Sequence, residues 1–134
     1  MSLDIGDRRI GVALSDKMQI IANPFCTYER TTIERDLAYF ASVCFAQDVT
    51  VIVSGLPISM NGNENAQTIK TREFASQLSA KTGLEVKFID ERLTTVSAER
   101  VLIEGNVSRD KRKGVIDKVA ATIILQSYLD YYKK

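Results

Sequence analysis

The sequence predicts an α/β domain in which helices flank a mixed five-stranded sheet. Three strand patterns open the chain, and helix and strand patterns then alternate. This order is typical of three antiparallel strands followed by two parallel ones. The chain has 134 residues and shows no internal repeat or linker, so residues 1–134 are expected to form a single domain.

The opening strands are predicted from short apolar runs separated by polar turns, at residues 3–7, 9–14 and 19–22. In the second run Ile10, Val12 and Leu14 alternate with smaller residues, which indicates one buried face. The third run is expected to end at Asn23-Pro24. The three strands would form an antiparallel meander.

The rest of the chain predicts helices and strands in alternation. Thr31 begins the first helix, because Thr31 and Glu34 have the spacing of a capping box. Gly83 ends the second helix, whose apolar stripe includes Ile69 and Phe74. Two buried strands are expected at residues 49–53 and 84–89. The last elements are a short helix at 96–104, a charged mobile loop at 106–114 and a helix from 115 towards 132.

Composition limits the possible functions. The formal net charge of +1 is not that of a strongly basic nucleic-acid binder. The absence of histidine excludes histidine-based ribonucleases, Ser-His-Asp triads and histidine-ligated zinc sites. Cys26 and Cys44 lack metal-type spacing and are expected to be reduced, structural thiols. With no secretory signal or transmembrane pattern, the protein is expected in the cytoplasm.

Three acidic residues stand where this fold would turn a side chain out of its framework. Asp4 ends the opening strand, Glu91 follows a later apolar strand, and Asp117 opens the last helix. Each has a structural alternative: a turn for Asp4, a solvated strand end for Glu91, and the helix dipole for Asp117.

The helix face that carries Asp117 favours a functional role. Ala120, Ala121 and Ile124 share that face, and two alanines would let the helix approach the sheet closely. Asp117 would then project over the strand ends. Carboxylates that converge beside basic residues suit a divalent metal and a polyanionic substrate. The first hypothesis is therefore a metal-dependent nuclease.

Basic residues lie beside each acidic motif and could hold phosphate groups. The candidates are Arg8, Arg9, Arg92, Arg109, Lys111, Arg112 and Lys113. A local basic rim on a nearly neutral protein suits structure-selective contact with a phosphate backbone. A solvated charged loop is the alternative for residues 109–113.

Four stretches, in order along essentially the whole chain, resemble the YqgF (RuvX) family: residues 3–16, 55–57, 90–95 and 117–121. The resemblance implies an RNase H-like fold related to the RuvC Holliday junction resolvase. It also implies that Asp4, Glu91 and Asp117 form the acidic site. One departure concerns residues 54–57, which lack the carboxylate that RuvC-type resolvases carry at the end of the fourth strand. Glu91 on the next strand stands in its place.

This resemblance implies a nuclease that processes the 5′ end of pre-16S rRNA in ribosome biogenesis, with structured RNA preferred over junction DNA. Asp4 would bridge two Mg²⁺ or Mn²⁺ ions about 4 Å apart, and Glu91 and Asp117 would complete the oxygen shell. The alternatives are a Holliday junction resolvase and a non-catalytic RNA-binding assembly factor. A resolvase would require a dimer, and no dimer surface can be read from the sequence. An actin-like ATPase would need a second lobe, for which the chain has no room.

Overall fold

The computed structural model describes residues 1–90 and 109–132, with the backbone alone described for 109–115. Its five strands are β1 (Ser2–Ile5), β2 (Arg9–Ser15), β3 (Ala22–Glu29), β4 (Ile52–Leu56) and β5 (Val86–Asp90). They form one sheet in the order β3-β2-β1-β4-β5. The first three are antiparallel, and β4 and β5 run parallel to β1. The predicted mixed sheet is confirmed.

Helices cover both faces of this sheet. Helices α1 (Ile33–Ala46) and α2 (Ala66–Thr82) pack on one face, and α3 (Arg109–Ser127) packs on the other. A π-helical segment, Tyr128–Tyr132, continues α3. None of the helices in the described ranges is long and apolar enough to cross a membrane.

Local signals at the helix ends explain where α1 and α2 begin and end. The hydroxyl of Thr32, not Thr31, caps α1 by accepting the Arg35 N–H at 3.2 Å. The predicted start was therefore one residue early. A reciprocal pair of hydrogen bonds between Asn65 and Thr68 caps α2. Gly83 ends α2 in the left-handed conformation, as predicted.

Ile69 does not lie on the buried stripe of α2, because it is 55% exposed. Thr68 and Thr71 are buried in its stead. The Thr68 hydroxyl also donates a hydrogen bond to the Pro57 carbonyl. This contact turns the polar side of the first helical turn inward, which an apolar pattern could not predict.

The third strand lies at Ala22–Glu29 and not at 19–22 as predicted. Asp16 Oδ1 accepts the N–H groups of Ile20 and Ile21, at 2.7 and 2.9 Å, which makes the predicted strand a turn. Pro24 lies within β3 beside a bulge between Val12 and Ala13. Proline is tolerated there because β3 is an edge strand.

Two further boundaries differ from the prediction. Strand β4 begins at Ile52 and continues through Gly55, whereas the β-branched run at 49–53 placed it three residues earlier. Helix α3 begins at Arg109, so residues 109–114 are helical and not a loop. Arginine and lysine are good helix formers, which accounts for this. The predicted helix at 96–104 and the sites Glu91 and Arg92 lie outside the described residues.

Large apolar side chains fill the space between the sheet and α1 and α2. The core there contains Leu3 and Ile5 of β1, Ile10 and Val12 of β2 and, from the helices, Phe40, Val43, Cys44, Phe74 and Leu78. The predicted alternation of β2 is confirmed, and Cys44 is a buried free thiol. The residues between these core positions in β1 and β2 face α3.

The α3 side of the sheet carries small residues, so the helix lies unusually close to it. Ser2 Oγ donates to the Ala121 carbonyl at 2.6 Å, and both residues are buried. A Cβ placed on Gly11 would come within 1.9 Å of the Asp117 carbonyl oxygen. Ala120 is also buried. The predicted close approach of α3 is therefore confirmed.

A buried ion pair joins α1 to β3 and to the turn between β1 and β2. Asp36, which is 1% exposed, accepts hydrogen bonds from Tyr28 Oη, Arg30 Nε and the Thr31 N–H. Arg30 Nη1 also donates to the Gly6 carbonyl at 2.9 Å. Burial alone would raise the pKa of Asp36, but these hydrogen bonds outweigh it and the pKa is lowered.

We expect Asp36→Asn to lower the free energy of unfolding by about 3–5 kcal/mol, because it leaves the Arg30 guanidinium without its counter-charge. Urea denaturation at neutral pH measures this. Exposed Asp48→Asn is the matched control, with an expected change within about 0.5 kcal/mol. The lowered pKa makes this stabilisation complete above the ordinary carboxyl value of 3.8 and lost as the pH falls through the folded-state pKa. A loss that did not diminish in acid would contradict this assignment.

We expect Gly11→Ala to destabilise the fold by about 3 kcal/mol or more, because the new methyl group overlaps the α3 backbone. Gly83→Ala is the control: nothing lies within 4 Å of its added Cβ, so only its left-handed backbone, worth about 1–2 kcal/mol, opposes the change. Thermal and urea denaturation of both variants measure the difference. Equal losses would show that the contact of Gly11 with α3 is not tight in solution.

Candidate active site

Asp4 and Asp117 lie on the same side of the sheet and at the same level. Asp4 pairs directly with Gly11 across β1 and β2, so its side chain points to the α3 face. Gly11 in turn touches the backbone of Asp117. The contact between Ser2 and Ala121 fixes the same register one step away. Asp4 lies two residues after Ser2 on β1, and Asp117 lies about one turn before Ala121 on α3. Because these two steps cover nearly equal distances, the contact between Ser2 and Ala121 also places Asp117 at the level of Asp4.

These contacts bound the separation of the two acidic residues. The Gly11 Cβ position is 3.0 Å from the Asp117 Cα. The Cα atoms of directly opposed antiparallel residues are about 4.5–5.5 Å apart, which places the Cα atoms of Asp4 and Asp117 at most about 10 Å apart. Side chains from two such positions can reach one ion between them. The backbone therefore brings two of the three predicted residues close together, and their convergence with Glu91 on one ion stays a prediction.

The sequence analysis expected Asp117 in the first turn of α3, but the structure places it deeper in the helix. The helix begins about two turns earlier, at Arg109. An interaction with the helix dipole falls off within the first turn and does not explain a carboxylate at this position.

Arg9 is the ion-pair partner of Asp117. Its Nε donates to Asp117 Oδ2 at 3.0 Å, with the two side chains 31% and 22% exposed. Arg9 and Gly11 are two residues apart on β2, so strand alternation puts both on the α3 face. Desolvation raises the pKa of Asp117, and the hydrogen bond and positive charge of Arg9 oppose this only in part. The carboxylate therefore lies in a partly desolvated environment that disfavours its charge.

Among the other basic candidates, Arg8 is the one whose side chain the structure describes, and it does not lie at this site. Arg8 points away from Arg9 and lines a polar groove of about 520 Å³ on the α1 and α2 side, together with Asp7, Glu29 and Lys70. Arg109, Lys111, Arg112 and Lys113 belong to the first turns of α3, whose backbone alone is described. Glu91 and Arg92 lie outside the described residues. Of the two basic candidates whose side chains the structure describes, Arg9 lies beside a predicted acidic residue and Arg8 does not.

Sequence reasoning missed the residues that bring the site together. Gly11 and Ser2 determine where α3 lies. Ser2 lies on the same strand face as Asp4, and Gly11 pairs directly with Asp4, so strand alternation and pairing could have identified both. The Arg9–Asp117 pair was also missed. Alternation along β2 could have placed Arg9 on this face. Its partner Asp117 was not identified, because the sequence analysis placed Asp117 at the start of α3 and assigned its charge to the helix dipole or a metal.

The donor chemistry of this site fits a hard divalent cation. Carboxylate oxygens are the ligands that Mg²⁺ and Mn²⁺ prefer, and Mg²⁺ is commonly held by one or two carboxylates with water completing its shell. Asp4 and Asp117 supply two carboxylates. Within residues 1–90 and 109–132 no group of three potential metal ligands occurs, and the third predicted ligand, Glu91, is not among them.

Comparison with known proteins identifies the family. The sequence profile of RuvX, described as a Holliday junction resolvase, matches residues 1–131. A protein of Halothermothrix orenii, named "Putative pre-16S rRNA nuclease", is 51% identical over 134 residues, covering 100% of this chain and 96% of the relative. A Clostridioides difficile protein of the same name is 48% identical over 131 residues, covering 98% of this chain and 93% of the relative.

Solved structures support the same fold. The chain of T. thermophilus RuvC in complex with a Holliday junction substrate matches with a TM-score of 0.61 and 12% identity, covering 95% of this chain and 90% of that one. A second Thermus thermophilus RuvC structure matches with a TM-score of 0.54, at 13% identity. At this identity the likeness concerns the fold alone, which is RNase H-like. Together with the full-length sequence matches, it shows that this protein belongs to the RuvX family.

Proposed function

We propose that this protein is a metal-dependent nuclease that processes the 5′ end of pre-16S rRNA. The observation that carries the proposal is the convergence of Asp4 and Asp117, which the contacts of Gly11 and Ser2 with α3 impose. The names of relatives about half identical over their full length supply the substrate class. Such a substrate implies a cytoplasmic location.

The desolvation of Asp117 supports a functional carboxylate. A residue whose environment disfavours its own charge weakens the fold, and such residues cluster at sites where the charge has a task. Asp117 lies too far inside α3 to serve as a cap, and its partner Arg9 leaves the pKa raised. Binding of a cation is a role that accounts for both features.

In this proposal Asp4 and Asp117 hold the divalent ion, with Glu91 as the third ligand. Glu91 follows β5 in the sequence, two residues after Ile89, which packs in the core cluster of α3. The ion, when bound, lowers the pKa of water and stabilises charge on the phosphate, so the reaction needs no histidine. Arg9 contributes a positive charge for the scissile phosphate.

A second candidate is a junction-resolving nuclease, favoured by the description of the family profile and by the RuvC fold. Two observations make it the weaker proposal. The likeness to RuvC is at 12% identity, and β4 runs Ile-Val-Ser-Gly-Leu with no carboxylate. A third candidate is an assembly factor that binds RNA on the same surface and does not cleave it.

We expect Asp4→Asn to reduce cleavage of a pre-16S rRNA 5′-end transcript in Mg²⁺ or Mn²⁺ by at least about 100-fold, since loss of a metal ligand removes several kcal/mol of transition-state stabilisation. Gel analysis of RNA and of a four-way DNA junction, in parallel, measures this. Asp48→Asn, at an exposed position, should retain parental activity. Binding of RNA without cleavage by the parent would favour the assembly factor, and preferential cutting of the junction would favour the resolvase.

We expect Asp117→Asn to abolish cleavage while raising the midpoint of thermal unfolding. Because folding raises the pKa of Asp117 above its ordinary value of 3.8, the ionised carboxylate weakens the fold at every pH above that value. The neutral amide removes this penalty, and partly exposed Arg9 can be hydrated. Asp16→Asn is the control, since backbone N–H groups of Ile21 and Ile20 lower the pKa of Asp16 and its replacement should not stabilise. A lower melting point for Asp117→Asn at neutral pH would contradict the interpretation.

A further inference from the structure

Within the described residues, the Arg9 guanidinium makes one hydrogen bond, from Nε to Asp117 Oδ2. Arg30 and Arg72 each donate two side-chain hydrogen bonds, and each lies over an aromatic ring. Arg9 is therefore less constrained than either and retains N–H groups for a second anion.

Asp4 and Asp117 lie at the same level on the same face of the sheet. Asp117 Oδ2 accepts a hydrogen bond from Arg9 in an ion pair of 3.0 Å, so Arg9 already occupies part of the space beside this carboxylate. Its guanidinium would stand against the charge of a divalent ion held by the same two carboxylates, because like charges repel strongly in a partly desolvated site. Arg9 and the ion are therefore competitors for Asp117.

The backbone of Arg9 is held in place, so Arg9 can leave Asp117 only by moving its side chain. Arg9 pairs with Glu29 of β3, and its carbonyl accepts the Gly6 N–H at 2.9 Å. A long side chain on a fixed Cα can change rotamer at little cost. The planar fork of arginine matches the oxygen atoms of a phosphate group, which gives the released guanidinium a new partner when a nucleic acid is bound.

We propose that Arg9 is an internal counter-cation, which holds Asp117 in the metal-free protein and moves to the substrate phosphate when the carboxylates take up a divalent ion. This inference rests on the function proposed above. It gives Arg9 two successive partners, first a carboxylate and then a phosphate. It also couples the two ligands, because a phosphate that binds Arg9 releases Asp117 for the metal, and the coupling is reciprocal.

The test is the affinity of the full-length protein for Mn²⁺ alone, measured by calorimetric titration without RNA. We expect Arg9→Gln to bind Mn²⁺ about fivefold more tightly than the parent, because the competing charge is gone. Arg9→Lys, which keeps the charge and the approximate volume, should return the affinity towards that of the parent. In a ¹⁵N spectrum, the Arg9 Nε–H signal of the parent should shift when Mg²⁺ is added.

Arg72→Gln is the matched control, since it removes an arginine from the Glu64 ion pair away from Asp117. Its Mn²⁺ affinity should equal that of the parent. If Arg9→Gln and the parent bind Mn²⁺ equally well while Asp4→Asn does not bind, the counter-cation inference is overturned and the proposed function stands. If the parent itself binds no Mn²⁺ and cleaves neither nucleic acid, both are overturned. Circular dichroism of each variant confirms that the fold is retained, and Arg9→Lys provides the comparison should Arg9→Gln not fold.

Discussion

Helix α3 lies so close to the sheet at Gly11 that this contact determines the position of the helix and of the residues it carries. Position 11 has no room for a side chain, because the Asp117 carbonyl oxygen already occupies the place of its Cβ. Ser2 adds a buried hydrogen bond to the same helix. With these two contacts α3 can neither slide along the sheet nor lift from it without losing packing. The position of Asp117 over Asp4 is a consequence of that packing.

The two faces of the sheet differ in packing and in how they affect the charge of a buried carboxylate. Large apolar side chains and the satisfied Asp36–Arg30 pair occupy the α1 and α2 side, where every partner of Asp36 lowers its pKa. Small residues occupy the α3 side around Asp4, and desolvation there raises the pKa of Asp117. An enzyme can maintain a strained charge of this kind when the opposite face of its sheet supplies the stability.

Much of the fold was predictable because it depends on local patterns. Alternation along β2, the glycine that ends α2 and the alanines of α3 all predicted what the structure shows. The errors lie where a longer-range contact overrides a local signal. The carboxylate of Asp16 turns residues 19–21 away from the sheet, and an edge position lets Pro24 stay in a strand. For the site, residue types predicted the candidate carboxylates. The Arg9–Asp117 pair could not be predicted without knowing where α3 begins and how it lies on the sheet.

The choice between RNA and junction DNA does not depend on the carboxylates, since both substrates present the same phosphodiester. In the proposed site, two carboxylates and one arginine would serve either reaction, which agrees with the two descriptions that the family profile and the relatives carry. The distinction must come from surfaces that hold the strand on either side of the scissile phosphate. Arg8 lies on the other face of the sheet in a groove of mixed charge, and the basic residues of 109–113 belong to the first turns of α3. In the proposed reaction, substrate choice would therefore depend on where the start of α3 lies relative to Asp117. That geometry would set which phosphates the basic turns can reach while the ion held by Asp4 and Asp117 binds the reacting one.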